Sequence, residues 1–504
     1  MKPINFLGDY INGRWILSDE PDLEWETRSP SDLKNDHIMK ASARFDHVDA
    51  ATEAAHKAYL AWARLGVEGR KPYLMRLKEV FASRAAEVTE LVARETGKPL
   101  WESKTEAASL VNKIDITLNH SLKYIETEEI TNALPNVNGY TRYKPRGVMA
   151  VLGPFNFPAH LPNGHLIPAL ICGNTIVFKP SEKTPAVGQF MAECFHQAEF
   201  PAGVFNLVHG QAETGKRLTT HELVDGILFT GSYEVGLKIK QDTLTHAGKI
   251  LALEMGGKNA TIVWNDIDMK KAVYESLIGA FLSSGQRCAC TSRIILHKDI
   301  RDEFVDHFYA AAKRIKIGHW KDDVFMGPLI DAGSVEKYIR YQEIAKREGA
   351  ENLMRGKALT LEKYEGYYVT PSINIVQKFD PKSVYQKSEI FGPNVAIYTV
   401  NDFDEAMMIH NSTGFGLAGA LFTQTRALYD RALLEAKVGV LNWNRTTNGA
   451  SSKLPFGGMG KSGNDRPSAS LAVQYCSVPV ASLEDNNPLG ATNTMPGLQF
   501  EWKE

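Results

Sequence analysis

The sequence predicts an α/β protein: a parallel, doubly wound sheet, a second α/β unit later in the chain, and a small β arm. Three observations carry this expectation. Five short apolar runs, at 147–152, 174–178, 204–208, 226–229 and 250–253, alternate with helical stretches at 159–171, 184–199, 213–221 and 233–245. Strands that are apolar throughout are those buried on both faces, and helices between them supply the crossovers that parallel strands need. A second series of such runs stands at 259–264, 293–297, 395–399, 418–422 and 438–442. Finally, 504 residues exceed what one hydrophobic core holds, so two or more domains are expected.

The remaining elements follow in chain order. Residues 5–17 read as a short strand and turn, reversed at Asn12-Gly13. Segments 46–65 and 69–97 are helical, with Leu74, Leu77, Val80, Phe81, Val88, Leu91 and Val92 at three- and four-residue spacing. Another helix follows at 101–120, and packing accounts for all three. Residues 132–143 are polar and turn-rich, as a hairpin arm leaving the body is, and 469–480 alternates in a way that suits pairing with it. The tail beyond Leu483 is rich in Asn, Pro and Gly and reads as a cap on the body or a neighbour.

Composition excludes several classes of function. Hydrophobic content of 43% with 23% charged residues is that of an ordinary soluble protein. A net charge of -2 provides no field that draws nucleic acid or an anionic membrane. Five scattered cysteines are not a disulfide framework and suit a reducing compartment. Cys288-x-Cys290 lacks a second Cys/His pair at ligand spacing, so no zinc site is expected. Neither a signal peptide nor a run of about 20 apolar residues is present, and a cytoplasmic location is expected.

Three stretches carry chemistry. Residues 281–293 read Phe-Leu-Ser-Ser-Gly-Gln-Arg-Cys-Ala-Cys-Thr-Ser-Arg, between a helical segment at 268–281 and a strand-like one. A thiol at such a turn is presented by the backbone, and with an ordinary pKa of about 8.5 it needs a positive setting to ionise. Arg287 and Arg293 are placed to supply that field. On this stretch alone Cys288 reads equally as a buried structural cysteine. The fifth strand ends in Glu254-Met-Gly-Gly257, a carboxylate at a sheet rim where ligands gather, or simply a solvated charge. Gly231-Ser232 after the fourth strand offers free N–H groups to an anion, or is only a helix cap. No G-x-G-x-x-G follows the first strand; Gly153-Pro-Phe-Asn-Phe-Pro158 stands there instead.

Together with Phe178-Lys-Pro-Ser-Glu182, Phe229-Thr-Gly-Ser232, Glu389-Ile-Phe-Gly-Pro393 and Pro455-Phe-Gly-Gly-Met-Gly-Lys-Ser-Gly463, these stretches resemble, in order and separation, the signatures of the aldehyde dehydrogenase superfamily. The resemblance runs from Pro154 to Gly463. It implies a Rossmann-type NAD-binding domain (1–121 and 145–256), an α/β catalytic domain (257–466) and a β oligomerisation arm (122–144 and 467–490). It implies that Cys288 is the nucleophile, forming a thiohemiacetal. The Asn156 side chain and the Cys288 backbone N–H would hold the oxyanion, where one donor is worth about 3 kcal/mol. Glu254 would be the general base for the water that cleaves the thioester.

For NAD, the resemblance implies contacts from Leu152, Gly153 and Phe155, and from Lys179 and Glu182 after the second strand. A carboxylate at Glu182 suits ribose hydroxyls and repels a 2′-phosphate, although Lys179 tempers that preference. Gly231, Ser232, Tyr233, Glu234, Val235 and Gly236 would receive the pyrophosphate, and Glu389 with Phe391 the nicotinamide-side ribose. Phe155 departs from the family, where tryptophan is common, and so does Cys290, where a small residue is common.

Within the superfamily, His160-Leu-Pro-Asn-Gly-His165, Gly285-Gln-Arg-Cys-Ala-Cys290, Asn442-Trp-Asn-Arg445 and Gly463-Asn-Asp-Arg-Pro-Ser468 are similar to members acting on a doubly negative, acylated amino-acid semialdehyde of arginine degradation. Positive groups should then line the substrate tunnel, and Arg287, Arg445, Lys453 and Arg466 are the candidates. Taken singly, each also reads as an unpaired surface cation. Glutamate and succinate semialdehydes are alternative substrates, and a non-catalytic scaffold is a further alternative. The expected partners are a small aldehyde and further copies of the chain, as a homodimer or dimer of dimers, with no nucleic acid and no membrane.

Overall fold

Alternate residues of strand Val148–Leu152 enter different cores. Met149 and Val151 pack on one face, and Val148, Ala150 and Leu152 on the other. That is what a strand covered by helices on both sides requires, and it explains why the run is apolar throughout. In the computed structural model, which describes residues 1–464, 468–487 and 495–498, this strand is the middle one of the five parallel strands in the first of two seven-stranded sheets.

The first sheet runs Ile250–Glu254, Gly226–Thr230, Val148–Leu152, Thr175–Lys179 and Phe205–Leu207, all parallel. The hairpin Asp9–Ile11 and Arg14–Ile16 closes one edge antiparallel, turning at Asn12 and Gly13, both with positive φ. Helices His160–Ile171, Pro185–Gln197, Ala212–Thr220 and Tyr233–Asp242 connect the parallel strands. Strand order reverses beside Val148–Leu152, so a crevice opens at the carboxyl ends of that strand and Gly226–Thr230.

The second sheet runs Glu351–Met354, Ser372–Ile375, Asn394–Val400, Thr291–His297, Asn259–Val263, Ala418–Phe422 and Val440–Trp443. Only its first pairing is antiparallel. Here too alternate residues part: Val395 and Ile397 enter one core, Ala396, Tyr398 and Val400 the other. Glu351–Met354 and Ser372–Ile375 were not expected, being four residues each, the first of them at a half-exposed edge.

Two expectations need correction. The helix expected at 69–97 is two, Gly66–Ser83 and Ala85–Thr96, parted at Arg84 (φ −101°, ψ 15°). Apolar spacing continues across the break because both pieces face the same core, so periodicity does not register it. The expected strand at 469–480 starts later: Ala472–Tyr475 is a helical turn, and strand Ser477–Asp485 pairs along its length with Val137–Pro145. Val473 and Tyr475 are buried, so the apparent alternation before Ser477 was the inner face of that turn. Glu128–Leu134 completes this three-stranded arm and is exposed throughout. Among the described residues no helix is long and apolar enough to cross a membrane.

Candidate active site

The turn that carries Cys288 is held in a conformation it would not adopt alone. Helix Met269–Phe281 is followed by Ser283 and Ser284, both at φ 56°, and by Gly285 at φ 70°. A Cβ on Gly285 would lie 2.2 Å from the Gly392 carbonyl oxygen, so only glycine lets this turn press against the loop after Glu389. Non-glycine residues with positive φ persist where surroundings over-determine them. Here Ser284 Oγ donates to the Gly327 carbonyl (2.8 Å), and Gln286 Oε1 accepts from the Ile330 N–H (3.0 Å). Asn259 Nδ2 donates to the carbonyls of both Cys288 (2.7 Å) and Cys290 (2.8 Å), while its oxygen accepts from the Ala418 N–H (3.0 Å). Of the five cysteines, all free, Cys288 alone is half-buried and the other four are buried.

Asn156 is brought to this turn from the end of the first strand. Its Nδ2 donates to the Gln286 carbonyl at 2.9 Å, two residues before the thiol. An amide nitrogen carries two hydrogens, so one remains for a second acceptor. The loop is fixed from behind by Glu106, whose Oε1 accepts from the Ala159 and His160 N–H groups (3.0 Å each) and whose Oε2 accepts from Lys98 Nζ (3.2 Å). Phe157 lies between two cations, with Lys98 Nζ 3.5 Å and the Arg287 guanidinium 4.8 Å from its ring centre.

Glu254 ends the edge strand of the first sheet and is 1% exposed. Its carbonyl accepts from the Gly231 N–H (3.0 Å), and it bridges to Gly463 of the distant glycine-rich segment. Its carboxylate acts on the Cys288 thiol, as does that of Glu389, whose Oε1 accepts from the Gly257 N–H at 2.8 Å. Burial raises the Glu389 carboxyl to about 7.

The expected positive field at the thiol is not what the fold provides. Burial, then the negative charges of Glu254 and Glu389, push the Cys288 thiol well up, and Arg287 opposes them only weakly. Arg293 is buried and donates to the carbonyls of Lys258 (2.9 Å), Ile409 (2.6 Å) and His410 (2.9 Å), away from any anion. Arg287 Nη2 is paired with the buried Glu102 (2.8 Å) and its Nε donates to Ser283 Oγ (2.6 Å). Arg287 therefore braces the turn, and Arg293 ties the strand after it to neighbouring segments. Of the other cations considered for the substrate, Arg445 and Lys453 are exposed, Lys453 with its carbonyl accepting from His120 Nε2 (3.0 Å). Arg466 lies outside the described residues.

The residues expected to meet a dinucleotide surround the crevice of the first sheet. A cavity of about 400 Å³ there is lined by Leu152, Gly153, Lys179, Glu182 and Val235, among others. Ser232 Oγ caps helix Tyr233–Asp242 by accepting from the Val235 N–H (3.3 Å); Ser232, Glu234 and Val235 are exposed, Gly231 and Tyr233 half-buried, and Gly236 buried. Phe155 meets Phe391 edge-on with ring centres 5.9 Å apart, and Phe391 holds φ 60° beside Glu389.

Sequence reading missed Asn259, Glu102, Glu106 and Lys98. Asn259 stood at the start of an expected strand, 259–264, without a role. The two glutamates lie on helix Leu100–Ile116, expected at 101–120 but assigned only to packing, with no local signal that distinguishes them from surface charge.

A strained cysteine turn, an amide, and a buried carboxylate at the rim of a dinucleotide-type sheet define the class, and the chain belongs to the aldehyde dehydrogenase family, whose model matches residues 15–479. It is an NAD(P)-dependent aldehyde dehydrogenase. Among its relatives are the N-succinylglutamate 5-semialdehyde dehydrogenases of Chromobacterium violaceum, 39% identical over 97% of this chain and 99% of that one, and of Escherichia coli, 39% identical over 97% and 98%. A solved 1-pyrroline-5-carboxylate dehydrogenase from Thermus with bound NAD superposes with a TM-score of 0.88 at 30% identity, covering 95% of this chain and 92% of that one.

Exposure and the raised thiol together predict the alkylation behaviour of the free enzyme. Iodoacetamide should modify one thiol, identified as Cys288 by peptide mass. Its rate should still be climbing at pH 9, because a raised pKa leaves less thiolate at any given pH. A plateau below pH 8 would show that the resting thiol is already ionised.

Proposed function

We propose that the chain oxidises N-succinyl-L-glutamate 5-semialdehyde to N-succinyl-L-glutamate with NAD, in arginine catabolism. The observation that carries this is near-full-length similarity to dehydrogenases of that name, joined to the convergence of Asn156 and Glu254 on the Cys288 turn.

Cys288 attacks the aldehyde carbon, because a planar carbonyl is a poor hydride donor and a tetrahedral one is not. The oxyanion that forms is received by the free hydrogen of the Asn156 amide and by the Cys288 N–H, in a water-poor setting that strengthens both. With the resting thiol held protonated, its proton must leave as the carbon–sulfur bond forms, and Glu254 is a carboxylate already acting on it. NAD, when bound, accepts the hydride that the tetrahedral carbon releases, leaving a thioester on Cys288. Once Glu254 has passed that first proton to solvent, it deprotonates the water that cleaves the thioester, and the sulfur leaves as the Cys288 thiolate. Buried at a rim between two glycine-rich segments, Glu254 is placed to serve both proton transfers.

The crevice fits such a cofactor. Lys179 Nζ is tied to the carbonyls of Pro180 (2.9 Å) and Gly210 (2.7 Å), and burial lowers it to about 8. That ammonium is still a cation near pH 7 but is held by the two carbonyls, so Glu182, half-buried on the same cavity, is the side chain left to meet the adenine-side ribose, which favours NAD over NADP. Glu389 and Phe391 are placed to hold the nicotinamide-side ribose. We assign residues 1–121 and 145–256 to cofactor binding, 257–466 to catalysis, and 122–144 with 467–490 to the arm. The exposed strand Glu128–Leu134 leaves a row of unpaired backbone groups, which supports assembly as a dimer or dimer of dimers. Five free cysteines support a reducing, cytoplasmic setting.

Three outcomes are expected. In a panel of N-succinylglutamate, glutamate and succinate semialdehydes followed by NADH absorbance, the first should give the highest kcat/KM; a preference for either other substrate would reassign the aldehyde. With NADP in place of NAD, kcat/KM should fall by about tenfold or more, about 1.4 kcal/mol, and equal use would remove Glu182 as discriminator. The Glu254→Gln protein should gain the mass of the acyl group on mixing with substrate and NAD, whereas normal turnover by that variant would rule out the assigned base.

A further inference from the structure

A cavity of about 130 Å³ lies between helix Leu100–Ile116, the start of helix His160–Ile171, and the segments around Ser452 and Ser468. Phe456 lines it and also packs against the small cluster of Ala289, Leu417 and Ala418, against which Cys288 packs as well, so the cavity and the thiol border the same cluster. Its walls hold two groups whose hydrogen-bonding capacity is incompletely used. Lys113 is 2% exposed, yet its ammonium, with three hydrogens to donate, makes one hydrogen bond among the described residues, to the Ala469 carbonyl at 2.9 Å. No ion pair among the described residues includes it, whereas the nearby buried Lys98 is paired with Glu106. The second group is His160, whose Nδ1 is buried with no hydrogen-bond partner among the described residues.

A buried ammonium without a counter-ion is costly, and a buried imidazole nitrogen without a partner adds to that cost. Such groups are retained where something else completes them. We propose that this cavity seats a carboxylate of the aldehyde substrate, with the Lys113 ammonium and the His160 Nδ1–H donating to it. This rests on the reading of the chain as a dehydrogenase for a carboxylated semialdehyde. One ammonium beside a neutral imidazole matches a single negative charge better than a doubly charged phosphate. Burial lowers Lys113 to about 8 and His160 to about 4, so near pH 7 the first is a cation and the second neutral. The backbone that presents His160 is fixed independently, since its amide N–H and that of Ala159 donate to Glu106. These residues would select the substrate, while the cations at the surface, Arg445 and Lys453, remain in solvent.

The test compares Lys113→Met and His160→Phe with the wild type on N-succinylglutamate 5-semialdehyde and on butanal, which has no carboxylate. In each variant the ratio of kcat/KM for the carboxylated over the plain aldehyde should fall by about tenfold or more, chiefly through KM. Binding of the product, N-succinylglutamate, measured by calorimetry, should weaken in parallel. Equal losses on both aldehydes, or none on either, would overturn the proposal, and His160→Phe carries the same split should Lys113→Met fold poorly. If the wild type prefers a different carboxylated aldehyde, the ratio is read with that one: the substrate assignment then fails while the seat is still tested. A wild type that takes only uncharged aldehydes would overturn both.

Discussion

One buried asparagine ties the reacting turn to the sheet. Asn259 opens a central strand of the second sheet, and its amide binds the carbonyls on either side of Ala289 while its oxygen takes the N–H of Ala418 on the neighbouring strand. The turn before Cys288 contains three consecutive residues at positive φ. Left to itself such a backbone would relax. Bonded through Asn259 to the strand it opens, and through Gln286 and Ser284 to the loop of Gly327 and Ile330, it cannot do so without breaking several buried hydrogen bonds at once. The position of the thiol relative to Asn156 and Glu254 depends on that restraint.

The site keeps its thiol protonated at rest. Arg287 and Arg293 are both close in sequence to the thiol, yet one is neutralised by Glu102 and the other bonded to carbonyls. What surrounds the sulfur is burial and negative charge, so reactivity must arise when the remaining components of the reaction assemble. That arrangement protects a solvent-reachable thiol from chance electrophiles, since the thiolate is the reactive form.

Much of this was legible in the chain. All ten apolar runs became strands, because residues buried on both faces of a parallel sheet leave no alternation to misread. The hairpin at Asn12-Gly13 was legible from the turn residues alone. What escaped was of two kinds. Arg84 breaks a helix without breaking its apolar spacing, and Tyr475 mimics a strand because a single helical turn also buries nearby residues. In the site, Cys288, Glu254 and Asn156 stood in quoted motifs, but Asn259 and Glu106 act across large sequence separations, which no local pattern encodes. The error over Arg287 and Arg293 has the same origin: proximity along the chain says nothing about which partner a long side chain finds.

Helix Leu100–Ile116 touches the site three times. Glu102 holds Arg287 and Ser283, Glu106 holds the start of the helix after Asn156, and Lys113 faces the small cavity. At about 100° per residue these positions fall within a stripe of about 40°, spread over about 16 Å of the axis. The helix therefore works as a graduated spine. Its first two marks serve groups that any aldehyde would need, and its third serves only the remainder of the molecule being turned over. Divergence toward new substrates can thus be confined to the far end, whereas one residue inserted between two marks would rotate those beyond it about 100° out of line with those before it.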